Sequence, residues 1–207
     1  ILSASGYYMA VDPSGQFLFA SFTGGGPDQM QGYTILRPDG NVSAPFPAIA
    51  LPADAQGTTV HPTNNKVYFT LRTAGRGASV DYDPTTGEIS NLALGPPVVG
   101  DLNDLAITPN GNHCYMTDQD NGVSPGIHVF DIDAAGQLVN PRFFAFPLTE
   151  LGYRVECNAA GDRLFVTSAI ASPLNIGVLR SFSIDANGDL GLLDTQPIDN
   201  SASGLVV

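Results

Sequence analysis

The chain alternates short apolar runs with tight polar turns, and the alternation itself repeats. Four stretches fit one template: "MAVDPSGQFLFAS" from Met9, "TTVHPTNNKVYFT" from Thr58, "LAITPNGNHCYMT" from Leu105 and "VECNAAGDRLFVT" from Val155. Each predicts a strand, a four-residue turn opening on Pro (Ala in the last) and a second strand ending in Ser or Thr. With Pro13, Pro62, Pro109 and Ala159 as equivalents, the spacings are 49, 47 and 50 residues and the columns align without gaps. One column holds Val11, Val60, Ile107 and Cys157, another Leu18, Val67, Cys114 and Leu164, and a third the aromatics Phe19, Tyr68, Tyr115 and Phe165.

A second motif follows each of these. "ILRPDGNVS", "VDYDPTTGEIS", "VFDIDAAGQLV" and "SFSIDANGDLG" each join two further strands through a polar turn ending on Gly40, Gly87, Gly136 or Gly188. Glycine suits such hairpins because it tolerates positive φ. Each unit therefore has four antiparallel strands, and a run of such units at this period predicts an all-β fold, a β-propeller whose inner strands surround a central channel.

The repeats run approximately over 7–53, 54–101, 102–150 and 151–201, within one domain or partial propeller spanning 1–207. "SASG" at Ser3–Gly6 and again at Ser201–Gly204 marks the same phase, just before an inner strand, so that 202–207 would begin a fifth. Three arrangements fit: a closed four-bladed ring, a homodimer closing an eight-bladed ring, or part of a longer propeller. An isolated open fan would expose an apolar face at each end, so pairing or a further partner is the expectation.

Composition narrows the partners. Twenty acids against eight bases give a formal charge of −12, and Lys66 is the only lysine. Such a surface repels phosphate backbones, which argues against nucleic acid. No run reaches the length of a membrane-spanning helix and the first residues lack a signal-peptide pattern, so no membrane partner is expected. The start at Ile1 suggests a processed chain, and with the acidity and the scarcity of lysine this leans toward a secreted or periplasmic protein. Cys114 and Cys157 fall on the same face of consecutive units, about 10 Å apart by sheet spacing, and are expected to be buried free thiols.

The wording of the units, above all "ITPNGNHCYMTD…GIHVFDIDAAGQL" and "DPSGQFLFASF", resembles the lactonase-type β-propellers, which include bacterial 6-phosphogluconolactonases and fungal carboxymuconate cyclases. Full members of that family have seven blades. The resemblance implies a lactonase or cyclase acting on, or binding, a sugar-derived or muconate-type lactone without a cofactor. It also implies site residues of His and Arg at the mouths of inner strands. Here those segments read "GDLNDLAITP" and "LGYRVECNAAG"; neither contains His, and Arg154 is the nearest counterpart, displaced by one position. The alternative is a non-catalytic propeller presenting its loops to a protein or glycan.

The candidate catalytic residues are Arg154 and Glu156, which share one strand face by the period of two. Glu156 stands in a column otherwise filled by Ala10, Thr59 and Ala106, where a carboxylate is costly to bury unless paired. Arg154, held by Glu156, would stabilise negative charge as water attacks a lactone carbonyl; a structural ion pair between blades is the competing reading. Tyr153, Asp104, Asn103 and Tyr8 are the candidate substrate-binding residues, with Tyr7 adding to an aromatic rim. Asp101, Asp104, Asp118 and Asp120 could share a rim, but turns are rich in Asp for backbone reasons and solvated turns are the expectation. No metal site is assigned, because His61, His113 and His128 lack ligand spacing. No nucleophile elbow occurs, "TGGGPD" lacks the setting of a phosphate cradle, and Asn41-Val42-Ser43 fits the short glycosylation triplet.

Overall fold

The computed structural model describes residues 5–23, 27–119, 125–147, 150–170 and 176–198. Its strands fall into four antiparallel sheets that resemble propeller blades, each built in chain order from the inside out. Blade 1 comprises β1 (Ser5–Val11), β2 (Phe17–Thr23), β3 (Gln29–Leu36), β4 (Asn41–Val42) and β5 (Ile49–Ala50). Blade 2 comprises β6 (Ala55–Val60), β7 (Lys66–Leu71), β8 (Arg76–Tyr82) and β9 (Ile89–Pro97). Blade 3 comprises β10 (Leu102–Ile107), β11 (His113–Asp118), β12 (Gly126–Ile132) and β13 (Leu138–Ala145). Blade 4 comprises β14 (Glu150–Cys157), β15 (Arg163–Ile170), β16 (Ile176–Ile184) and β17 (Leu190–Ile198).

Blade 1 departs from the four-strand expectation. Its outer strand is split, with β4 pairing one end of β3 and β5 the other. Pro45 and Pro47 lie between the two pieces and lack the N–H that a continuous ladder requires. Gly6 lies inside β1, opposite Phe22, rather than before it. The second SASG and the start of a fifth inner strand fall outside the described residues. Among the described residues no helix is long and apolar enough to cross a membrane.

One column closes every first turn, though its chemistry changes from blade to blade. Asp12 Oδ1 accepts from the N–H groups of Gln16 and Phe17, each at 2.7 Å. His61 Nδ1 accepts from Thr63 and Asn64, each at 3.1 Å, while its Nε2 meets the Gly111 carbonyl of blade 3 at 3.0 Å. Thr108 Oγ1 accepts from His113 N at 3.1 Å, and Asn158 Oδ1 from Asp162 N and Arg163 N at 3.1 and 3.0 Å. Four residue types thus accept from backbone N–H groups of the equivalent turn, though not from the same donor in each blade.

The apolar cores lie between blades. Phe17 and Phe19 of blade 1 pack with Val67, Val80 and Tyr82 of blade 2. Tyr68 of blade 2 packs with Leu105, Cys114 and Phe130 of blade 3, and Ala106, Tyr115 and Val129 of blade 3 with Val155, Leu164 and Phe182 of blade 4. Each joint also holds a close backbone approach. An added Cβ at Gly87, Gly136 or Gly188 would come within 2.3 Å of Phe17, 2.5 Å of Lys66 or 2.5 Å of His113, the residue that opens the second strand of the preceding blade. Tyr68 Oη donates to the Gly136 carbonyl at 2.8 Å, and Tyr115 Oη to the Gly188 carbonyl at 3.0 Å. Burial pushes the Tyr68 hydroxyl up to about 12. The inner strands β1, β6, β10 and β14 lie side by side in that order, and no comparable packing joins β14 back to β1.

Cys114 opposes Ile107 and Cys157 opposes Leu164, and both thiols are free and buried, as the register implied. Burial pushes Cys157 up to about 12.

Because the Gly188 carbonyl is buried in the joint, Tyr115→Phe should leave it unpaired and cost about 1–3 kcal/mol. A urea midpoint lowered by that free energy divided by the slope, with the slope itself unchanged, is the expected result. An unchanged midpoint would remove the hydroxyl from the account of blade cohesion.

Candidate functional site

All four inner strands break register within one residue of the same place. The shifts fall between Gly6 and Tyr8 on β1, Gln56 and Thr58 on β6, Leu102 and Leu105 on β10, and Gly152 and Arg154 on β14. Such a bulge sets two residues opposite one and re-aims the side chains around it. Tyr8, Gly57, Asp104 and Arg154 occupy the same offset from the first turn, and Gln56, Asn103 and Tyr153 precede three of them. Tyr8, Gln56, Asn103, Tyr153 and Arg154 line one polar pocket of about 370 Å³, completed by Thr23, Asp54, Arg72 and Gln119 from the ends and loops of the first three blades.

Arg154 spans the centre. Its guanidinium lies 4.7 Å from the ring centroid of Tyr8 in blade 1, a cation–π contact, and its Nη1 lies 3.8 Å from Asp104 Oδ1 in blade 3. Tyr8 Oη donates to Asn103 Oδ1 at 3.4 Å, and Asn103 Nδ2 donates to the Tyr153 carbonyl at 2.7 Å. Blades 1, 3 and 4 are therefore linked through one hydrogen-bonded and stacked chain. Asp104 Oδ2 also accepts from Val155 N at 3.3 Å. Burial pushes the Asp104 carboxyl up to about 6, against the opposing pull of Arg154.

Arg72 is the second pocket cation. Its Nη2 lies 3.5 Å from Asp101 Oδ2, and the Gln119 amide oxygen, oriented by its hydrogen bonding, accepts from Nε and Nη2 at 2.9 and 3.0 Å. Asp54 is the carboxylate on the pocket wall, its Oδ1 accepting from Thr73 N and Oγ1 at 3.1 and 2.7 Å. The arrangement offers two oriented guanidiniums, amide donors and two tyrosines, a set suited to an oxygen-rich anion.

Of the candidates read from sequence, Arg154, Tyr153, Asn103 and Tyr8 come together in the pocket, with Asp104 directly behind Arg154. Glu156 does not take its assigned place. It is exposed, and the carboxylate set against Arg154 is that of Asp104. The reason is distance along the strand: Glu156 is two residues below Arg154, about 6–7 Å at strand rise, on a face that none of the described residues covers. Asp118 is a second correction. It is fully buried rather than in a solvated turn, accepting from Asp101 N at 3.0 Å and meeting His128 Nε2 at 3.1 Å. Asp120 lies outside the described residues, and among those described no group of three or more His, Cys, Asp or Glu is placed to hold a metal ion. Arg72 and Gln119 share the column of Thr23, and Asp54 that of Asp101, but these columns lie outside the strand-turn-strand template and the first holds no common residue type, so the sequence does not single them out.

The comparisons with known proteins bear on fold. No family model matches the chain, and no curated protein matches it. Among solved structures, a periplasmic gluconolactonase of Pseudomonas aeruginosa superimposes with a TM-score of 0.76 at 14% identity, over 95% of this chain and 58% of that one. A candidate 6-phosphogluconolactonase of Bacteroides uniformis gives 0.71 at 14% identity, over 95% and 73%. Hydrazine synthase of Kuenenia stuttgartiensis gives 0.69 at 15% identity, over 93% and 49%. The chain thus spans a little under three fifths of the gluconolactonase, and it shares its fold with proteins of unlike chemistry.

The raised carboxyl of Asp104 makes a prediction of sign. Its protonated form is favoured in the fold, so its contribution is full below about pH 4 and is lost as pH rises through about 6. Between pH 4 and 7.5 the wild type should lose on the order of 2–3 kcal/mol relative to Asp104→Asn. Urea denaturation of both proteins at the two pH values checks this, and parallel pH dependences would contradict it.

Proposed function

We propose that the central pocket binds a small oxygen-rich anion, a sugar-derived or muconate-type lactone or its ring-opened acid, and that the protein is a lactonase-like hydrolase. The observation that carries this reading is the placement of Arg154 and Arg72, two of the chain's seven arginines, on one polar pocket of a chain with formal charge −12. The likeness of the fold to a gluconolactonase supports it. In the proposed mechanism Arg154 donates to the lactone carbonyl oxygen and stabilises the charge that develops as water attacks. Asp54, held by Thr73, is the carboxylate on the pocket wall that would accept the proton of that water. Tyr8 and Tyr153 flank the ligand, Asn103 fixes their spacing, and no cofactor takes part.

The second reading is a non-catalytic pocket in a scaffold for a glycan or protein. It is favoured by the absence of His from the pocket lining and by the carboxylates already facing both arginines. An exported location fits both readings, given the acidic, lysine-poor chain and the likeness to a periplasmic protein.

Titration calorimetry with gluconate and a pH-stat assay with a gluconolactone test the proposal, using Arg154→Met as the variant. Loss of a charge-assisted contact of about 1.5–3 kcal/mol predicts roughly 10- to 100-fold weaker binding and slower turnover. Binding without turnover in the wild type selects the scaffold reading. Unchanged binding by the variant, with only its stability reduced, would leave Arg154 as a structural ion pair.

A further inference from the structure

We propose that the central pocket takes up its anion together with one proton from solvent, and that the proton goes to Asp104, the carboxylate that positions Arg154. Such coupling rests on the anion site proposed above and governs when that site accepts ligand. The two pocket guanidiniums face carboxylates in unlike surroundings. Arg72 faces Asp101, whose side chain is 42% exposed, so water solvates this carboxylate even when its cation turns to a ligand. Arg154 faces Asp104, whose side chain is only 15% exposed. Asp104 is enclosed by its neighbours: its Cα lies 2.7 Å from a Cβ position at Gly57 on β6, and its N–H donates to Thr117 Oγ1 on β11 at 3.1 Å. A carboxylate with so little access to water needs its cation in order to stay ionised.

The charged and titratable groups that face Asp104 are Arg154 and Glu156 of β14 and Tyr8 of β1. Glu150, also on β14, is paired with Arg180, and β6 carries no ionisable side chain. The ionisable groups of β7 and β11 meet other partners. Lys66 meets Asp81, Tyr68 the Gly136 carbonyl, His113 Asp131, Tyr115 the Gly188 carbonyl and Asp118 His128, while Cys114 is a buried thiol. Among the described residues Arg154 is therefore the cation set against Asp104, at 3.8 Å, and Glu156 adds only negative charge. Burial already favours the protonated carboxyl, which titrates at about 6 with Arg154 in place. An anion on the guanidinium puts a second negative charge beside Asp104 and offsets the one pull that keeps it ionised.

The exchange balances. Arg154 trades one anionic partner for another, an oxygen of Asp104 gains the proton, and the net charge of the site is unchanged. The neutral carboxyl still accepts from Val155 N, so the backbone of β14 loses no partner. A lactone without a carboxylate brings no such charge, so the coupling acts on an acid product and not on its lactone.

Titration calorimetry with sodium gluconate, repeated in buffers of unlike ionisation enthalpy, counts the protons exchanged. At about pH 7 the wild type should take up roughly one half to one proton per gluconate, and at about pH 5, where Asp104 is already protonated, close to none. Its affinity should weaken above about pH 6, approaching tenfold per pH unit. Asp104→Asn, which keeps the shape of the neutral carboxyl, should bind gluconate at about pH 7 as tightly as the wild type does at about pH 5, with no proton exchanged. Gluconate binding by the wild type without proton uptake would overturn the coupling and leave the anion site standing. So would uptake that persists in Asp104→Asn, or a folded Asp104→Asn that no longer binds. Absence of gluconate binding to both proteins at both pH values would remove the anion site and the coupling together.

Discussion

The aromatic side chain at the third residue of the second strand in blades 1 to 3, driven into the next blade, is the contact on which the rest of this structure depends. Phe19, Tyr68 and Tyr115 are fully buried there. A sheet of this kind cannot bury its own faces, so stability resides in the joints, where each fully buried aromatic or aliphatic side chain contributes about 1.5–3 kcal/mol. The glycines set the spacing. Their positive φ and the absence of a Cβ bring each hairpin onto its neighbour, and the stacking places four inner strands side by side.

The pocket follows from that stacking. The four bulges lie at one height because the blades share one register, and their displaced side chains converge on the centre. The last two joints also hold buried polar side chains at equivalent positions, His128 opposite Met116 and Arg180 opposite Val166. His128 is answered by Asp118, and Arg180 Nη2 by Glu150 Oε2 at 2.7 Å, with Ser168 Oγ donating to Glu150. Removing Glu150 would strand the Arg180 guanidinium in the joint, and each pair holds together strands of one blade, β11 with β12 in blade 3 and β14 with β16 in blade 4.

The hairpins and their columns were legible in the sequence because strand pairing fixes which residues share a face. The pairing of Cys114 with Ile107 and of Cys157 with Leu164 followed from counting alone. The bulges were not legible. One extra residue at Tyr153 leaves the apolar pattern below it unchanged, yet it decides where Arg154 points. For that reason the sequence points to a partner for Arg154 on its own strand, at Glu156, whereas the structure sets Asp104 of the neighbouring strand against it. Asp118 reads as a turn residue by type, and only its contacts with His128 and Asp101 reveal it as buried. The capping column of Asp12, His61, Thr108 and Asn158 is hidden in the sequence because its members share a function and not a residue type.

The claim that joins fold to site is that Arg154 in blade 4 and Tyr8 in blade 1 meet across the centre of the molecule. A double-mutant cycle of Tyr8→Leu and Arg154→Met, measured by urea denaturation at neutral pH, tests it directly. The contact predicts a coupling of about 0.5–2 kcal/mol between residues of the first and fourth blades. Additivity of the two changes to within about 0.3 kcal/mol would contradict it and would separate the first blade from the pocket.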